Sequence, residues 1–142
     1  MIGETLLTDM GDDLQGSFGS VPGSDSDAAA VFDTRAAEAG IEGTGPFRGE
    51  SYDAAALIAL AIQSAGTTDG AALARSLMSV ANAPGTPIGV GELAEGLRIL
   101  SEGGEIDYVG VSNVEFDEVG DAAGTYRELE VEGVEFQTRN VW

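Results

Sequence analysis

The sequence predicts an α/β fold whose β-sheet is incomplete. Three observations lead there. The middle of the chain carries four successive helical patterns. Strand-like alternation is confined to the two ends. One of the helices, over residues 54–65, is apolar nearly all round and must therefore be buried on most sides, yet few strands lie near it in sequence.

Taken in order, residues 5–8 (TLLT) read as a short strand closed by Asp9-Met10-Gly11-Asp12. Residues 17–21 read as a second strand, ended by Pro22, which has no N–H to give to a ladder. Ser26 or Asp27 caps a helix with Ala28, Val31, Phe32, Ala36 and Ala39 at helical spacing and Gly40 just past its end. A Gly/Pro loop over residues 41–49 follows. Ser51 or Asp53 starts the apolar helix and Gly66 ends it; Leu57, Ile58, Leu60 and Ile62 contribute about 1.5–3 kcal/mol each where fully buried. Thr68-Asp69 caps a third helix with Ala72, Leu73, Leu77 and Val80 on one face. Residues 83–87 (APGTP) predict a stiff exposed loop. Gly91-Glu92 opens a fourth helix with Leu93, Leu97 and Leu100 on its inner face, stopped by Gly103-Gly104. Strands are expected at residues 108–109, 114–116, 126–131 and 134–138, with Glu132-Gly133 as a two-residue hairpin turn.

Composition excludes whole classes of chemistry. The 142 residues include 25 acids against six bases, all Arg, for a formal net charge of −19; Lys, His and Cys are absent. A Ser-His-Asp triad, a cysteine nucleophile, a Cys/His zinc site, a disulfide framework and a P-loop lysine therefore cannot be built from this chain. Six scattered arginines supply no face for duplex DNA, so no nucleic-acid partner is expected. A hydrophobic fraction of 43% argues against a disordered acidic tail. The longest apolar stretch, residues 54–62, falls short of the ~20 residues of a membrane span, so no membrane insertion is expected. The start, Met-Ile-Gly-Glu, has neither the basic segment nor the apolar core of an export signal, and the chain reads as lacking a signal peptide.

Residues 45–66, GPFRGESYDAAALIALAIQSAG, resemble the type I periplasmic solute-binding proteins, and within them the branched-chain amino acid (Leu/Ile/Val) subfamily of ABC importers. The Tyr-Asp-Ala helix start, the run of small and aliphatic residues and the Ala-Gly end carry the likeness. Further segments agree in order: TTD at 67–69 with Leu73 and Leu77, PGT at 84–86, GVGE at 89–92, IDYVGVS at 106–112, VEFDEVGD at 114–121 and GTY at 124–126. The resemblance spans about three quarters of the chain. It implies two Rossmann-like α/β lobes joined by hinge strands, of which this chain matches only the C-terminal portion, with the first-lobe sheet incomplete. Residues 1–16 would be a remnant of the second lobe, 17–22 a hinge crossing, 23–123 the helical portion of the first lobe, and 124–142 strands returning toward the second lobe. It also implies a periplasmic or extracytoplasmic parent protein that delivers a small amino-acid-like ligand to an ABC permease.

Two residues carry the ligand-binding expectation, both through the resemblance. Phe47, just before the Tyr-Asp helix, would line the apolar pocket; the plainer alternative is a loop Phe packed on its own lobe. Asp9, at the end of the first expected strand, would attract a ligand ammonium by Coulomb attraction; the alternative is an Asp in a turn. Tyr52 and Asp53 are read as helix-start residues, with Asp53 as a cap in the field of the helix dipole. Residues 117–121 (DEVGD) lack the calcium-loop pattern and read as a tight acidic turn. Glu128, Glu130 and Glu132 read as the wet face of a strand. No spacing marks a catalytic carboxylate pair, so no enzyme activity, cofactor or metal is expected.

Two functions follow. The first is a fragment of an ABC-importer binding protein for branched-chain amino acids or related amides, working by lobe closure, with the isolated chain unable to hold ligand tightly. The second is a stand-alone interaction module, a homo-oligomer or swapped dimer that covers its exposed apolar surface with a second copy.

Overall fold

A computed structural model of the chain describes residues 4–23, 26–43 and 45–142. It opens with helix α1 (Glu4–Met10), a 3-10 turn (Gly11–Leu14) and strand β1 (Phe18–Pro22). Helices α2 (Asp27–Glu38), α3 (Arg48–Ala65) and α4 (Gly70–Ala81) follow, then strand β2 (Thr86–Gly89), helix α5 (Leu93–Ser101) and strands β3 (Ile106–Gly110), β4 (Tyr126–Glu132) and β5 (Glu135–Val141). The fold is mixed α/β, with two small sheets and helices packed on one of them.

The helix ends are set by local chemistry. Ser26 caps α2, its hydroxyl accepting from the Ala29 N–H. Gly40, at φ 72°, closes α2 in a Schellman turn: its N–H reaches the Ala37 carbonyl, and the Ile41 N–H reaches the Ala36 carbonyl at 2.9 Å. Asp69 caps α4 by accepting from the Ala72 N–H at 3.0 Å. Gly66 ends α3 in the left-handed conformation.

The core forms where α3, α4 and α5 meet a two-stranded parallel sheet of β2 and β3. Ala56, Leu57 and Leu60 of α3, Val80 and Ala81 of α4, Ile88 of β2 and Ile106 and Tyr108 of β3 are all buried there. Gly96 lets α5 lie close: a Cβ at this position would stand 2.9 Å from Leu60 and 3.4 Å from Ile88. The second sheet is antiparallel, in the order β1-β4-β5. Arg139 bridges Glu130 and Glu132 on its wet face, and Glu128 accepts from Asn140. Gln15 ties the chain before β1 to the hairpin tip, donating to the Gly133 carbonyl at 2.8 Å and accepting its N–H at 3.0 Å.

Several local expectations are corrected. Residues 5–8 lie in α1, not in a strand; Leu7 is the one buried side chain among the described residues of this helix. The α3 helix begins at Arg48, ahead of both expected starts, so Asp53 lies inside the helix and caps nothing. Residues 86–89 form β2, although Pro87 reads as a breaker. An edge strand tolerates it because one side of its ladder needs no donor. Val114, Glu115 and Phe116 form no strand; Phe116 makes a single antiparallel bridge to Ala122. The hairpin turn is Gly133-Val134, one residue later than expected, since Glu132 pairs with Glu135. Gly133, at φ 65°, supplies the positive φ of the first turn position.

The apolar helix is covered on one side only. Leu57 and Leu60 are buried, but Ile58 is 51% exposed and Ile62 36% exposed, so only part of the apolar surface gains the burial energy. A two-stranded sheet is too narrow to cover an all-round apolar helix. Leu60→Ala should cost about 2–5 kcal/mol in urea unfolding, whereas Ile58→Glu should leave stability within about 0.5 kcal/mol. A large loss for Ile58→Glu would mean that this face is covered in solution.

Candidate ligand-binding site

The start of α3 gathers the neighbouring loops around itself. The Arg48 guanidinium lies 5.5 Å over the Phe32 ring, pairs with Asp33 at 3.2 Å and donates to the Ile41 carbonyl at 3.4 Å. This ties α2 and the loop after it to α3. The Tyr52 ring packs on Phe32 with centroids 5.5 Å apart, while its hydroxyl accepts from the Gly91 N–H at 2.9 Å. Gly49 permits close approach of Val111, whose Cγ1 would stand 2.7 Å from a Cβ there.

Asp53 is the one buried charged residue of the described chain. Its Oδ1 accepts from the Tyr108 hydroxyl at 2.8 Å and the Val111 N–H at 2.9 Å. Its Oδ2 accepts from the Ser112 N–H at 2.9 Å and the Ser112 hydroxyl at 2.5 Å. A buried carboxylate is stable only when its oxygens find donors, and here the turn after β3 supplies them. Gly110, at φ 58°, makes the turn and leaves the space; a side chain there would collide with Asp53 and Tyr108. Burial, followed by the Asp53 carboxylate, pushes the Tyr108 hydroxyl well above the ordinary tyrosine range.

Around this node opens a cleft of about 1100 Å³. One wall comes from α2 and the loop after it, a second from the first turns of α3, and a third from residues 111–116 and 122–127. Phe32, Phe47, Ile58 and Phe116 make much of it apolar, and Asp33, Arg48, Glu50 and Arg127 give it charge. Asp53 has its lone pairs engaged, and the chain offers no His, Cys or Lys to act with a hydroxyl.

Phe47 lines this cleft, 47% exposed, and sits at φ 64°, in the left-handed region that a bulky residue adopts at a cost. Asp9 stands exposed on α1, is not at a strand end, and does not line the cleft; the structure does not bring it together with Phe47. Tyr52 does open onto the packing of α2, but through ring contact and a hydrogen bond rather than as a cap. The acidic segment 117–121 is a tight turn in which the Asp117 carboxylate accepts from the Val119 and Asp121 N–H groups, both at 2.9 Å. Sequence reasoning missed Arg127 and the role of Asp53. The alternation of β4 was visible, but nothing local shows that an Asp in a helix will meet a turn almost sixty residues away.

With its two-stranded parallel sheet flanked by helices and its separate antiparallel sheet, the chain matches part of a type I periplasmic binding protein fold. The comparison that shows this is with a leucine-binding protein, LivK, from Thermotoga maritima, whose crystal structure the chain matches with a TM-score of 0.61 at 18% identity. The match covers 98% of this chain and 34% of that protein, so the chain spans about a third of its length. No family model matches the chain, and no curated protein matches it in sequence.

Two outcomes check the Asp53 node. Asp53→Ala should destabilise the chain by about 3 kcal/mol or more, because it strands buried donors on Tyr108, Val111 and Ser112; Asp53→Asn should cost less. A loss below about 1 kcal/mol in urea unfolding would remove the node from the argument. The folded chain holds the Tyr108 proton more tightly than the unfolded chain does. That contribution to stability is therefore complete below the ordinary tyrosine pKa of about 10 and declines as pH rises beyond it. Thermal melts from pH 8 to 11 should show a steeper fall for the parent than for Tyr108→Phe.

Proposed function

We propose that this chain forms one wall of the ligand site in a solute-binding protein of the amino-acid or amide type, working with an ABC permease outside the cytoplasm. The observation that carries the reading is the cleft: an apolar concavity at the start of α3, with Phe47 on its rim and the strands β1 and β4 crossing beside it. In this reading residues 17–22 and the strands from residue 124 are crossings between lobes, residues 1–16 belong to the second lobe, and residues 23–123 belong to the first. Two supports stand beside the cleft. The chain matches a leucine-binding protein over a third of that protein's length, and the uncovered side of α3 is what a missing first-lobe sheet would leave. Ligand would be held by closure of a second lobe over the cleft. Asp9 would reach a ligand only from that second lobe. One wall alone gives little affinity.

The second reading, a self-associating module, has one observation in its favour: the bare Ile58 and Ile62 side of α3. A concentration-independent monomer in light scattering would end it.

The leading reading is tested by replacing the matching third of the Thermotoga leucine-binding protein with this chain. The folded hybrid should bind an amino acid or amide in calorimetry, and Phe47→Ala should weaken that binding by about tenfold or more. The isolated chain should show no micromolar binding of leucine, isoleucine or valine. A folded hybrid that binds no amino acid or amide would sink the reading.

A further inference from the structure

Six arginines face 25 acids in this chain, so an arginine without an acidic partner calls for a reason. Arg48, Arg98 and Arg139 are all held in ion pairs. Arg35 and Arg75 are exposed, and neither lines the cleft. Arg127 differs from both groups. It is half-buried, has no ion pair among the described residues, and its Nε is shut off from water without an acceptor. A buried donor left unmade costs about 1–3 kcal/mol.

Its place on the strand explains how it escapes the acids. Successive side chains of a strand point to opposite faces. Glu128, Glu130 and Glu132 share the wet face of β4, where Asn140 and Arg139 engage them. Arg127 alternates with them and falls in step with Leu129 and Val131, on the dry face. Its guanidinium lies over Gly23, where a Cβ would stand 3.4 Å from Nε. There it lines the cleft. The other guanidinium of the cleft, Arg48, is already taken by Asp33 and the Ile41 carbonyl.

We propose that Arg127 is the carboxylate-binding residue of the cleft, and that the cleft takes a small carboxylate bearing an apolar group. The guanidinium supplies planar, paired donors for the carboxylate, while Phe32 and Phe47 supply an apolar surface for the rest of the molecule. A chain of net charge −19 repels anions at long range, so such a ligand needs a local cation, and Arg127 is the uncommitted one in this cleft. The proposal rests on the solute-binding reading in placing ligand here, and names the contact that reading leaves open.

The test uses the full 142-residue chain, labelled with nitrogen-15, and follows the arginine side-chain Nε–H resonances. The probe is 4-methylpentanoate, with 4-methylpentanamide as its uncharged counterpart, at constant ionic strength. The Arg127 resonance, identified by its loss in Arg127→Gln, should shift saturably with the acid in the millimolar range and not with the amide. Arg127→Gln, with its folded spectrum retained, should weaken the response of the Gly23 and Thr125 backbone amides by about tenfold or more. An unmoved Arg127 resonance, an equal response to the amide, or undiminished binding by the variant would overturn the proposal. If the hybrid protein binds amino acids while Arg127 stays unmoved, this inference fails and the solute-binding reading stands. A saturable Arg127 shift beside an inert hybrid gives the reverse.

Discussion

The Asp53 carboxylate holds the cleft-forming end of the molecule together. It sits in the first turns of α3, where the helix also clasps α2 through Arg48 and the segment before α5 through Tyr52. Its two oxygens collect donors from the end of β3 and the turn after it. Without it the helix would still have a hydrophobic face and Val111 would still pack near Gly49, but the turn at residues 110–112 would lose its directional tie to α3. Hydrophobic burial is non-directional; hydrogen bonds to a buried charge are directional and costly to leave unmade. Together the two fix where the cleft's walls stand.

The second constraint is geometrical. Two parallel strands give α3 a surface to lie on, but only along Ala56, Leu57, Leu60 and Ala61. The side bearing Ile58 and Ile62 stays open, and the cleft runs up against it. Parallel sheets in α/β folds are ordinarily covered on both faces and several strands wide. The matched leucine-binding protein is about three times as long as this chain.

Much of the architecture was legible because it depends on local rules. Ser26, Gly40, Gly66 and Asp69 set helix ends through hydrogen bonds that span a few residues, and each acts as its residue type suggests. The alternation over residues 128–132 marks β4, and its wet face is where the acids are. Failures came where a short segment's fate depends on distant partners. Residues 5–8 have strand-forming residues but a helix wins, and residues 86–89 contain a proline but pair with β3 because an edge position is free. Val114, Glu115 and Phe116 alternate like a strand and find no ladder to join.

The sequence by itself determined the four central helices, the ends set by Ser26, Gly40, Gly66 and Asp69, the terminal β-hairpin, the strong negative charge and the exclusion of histidine, cysteine and lysine chemistry. All of these are properties of residues close together in the chain, or of composition. Only the tertiary structure decided that Asp53 is a buried anchor rather than a cap, that Phe47 stands at a cleft while Asp9 does not, and that Arg127 is left without a partner on the dry face of β4. A carboxylate or a guanidinium can be satisfied by many neighbours, and which of them comes within 3 Å is fixed by contacts between residues far apart in sequence.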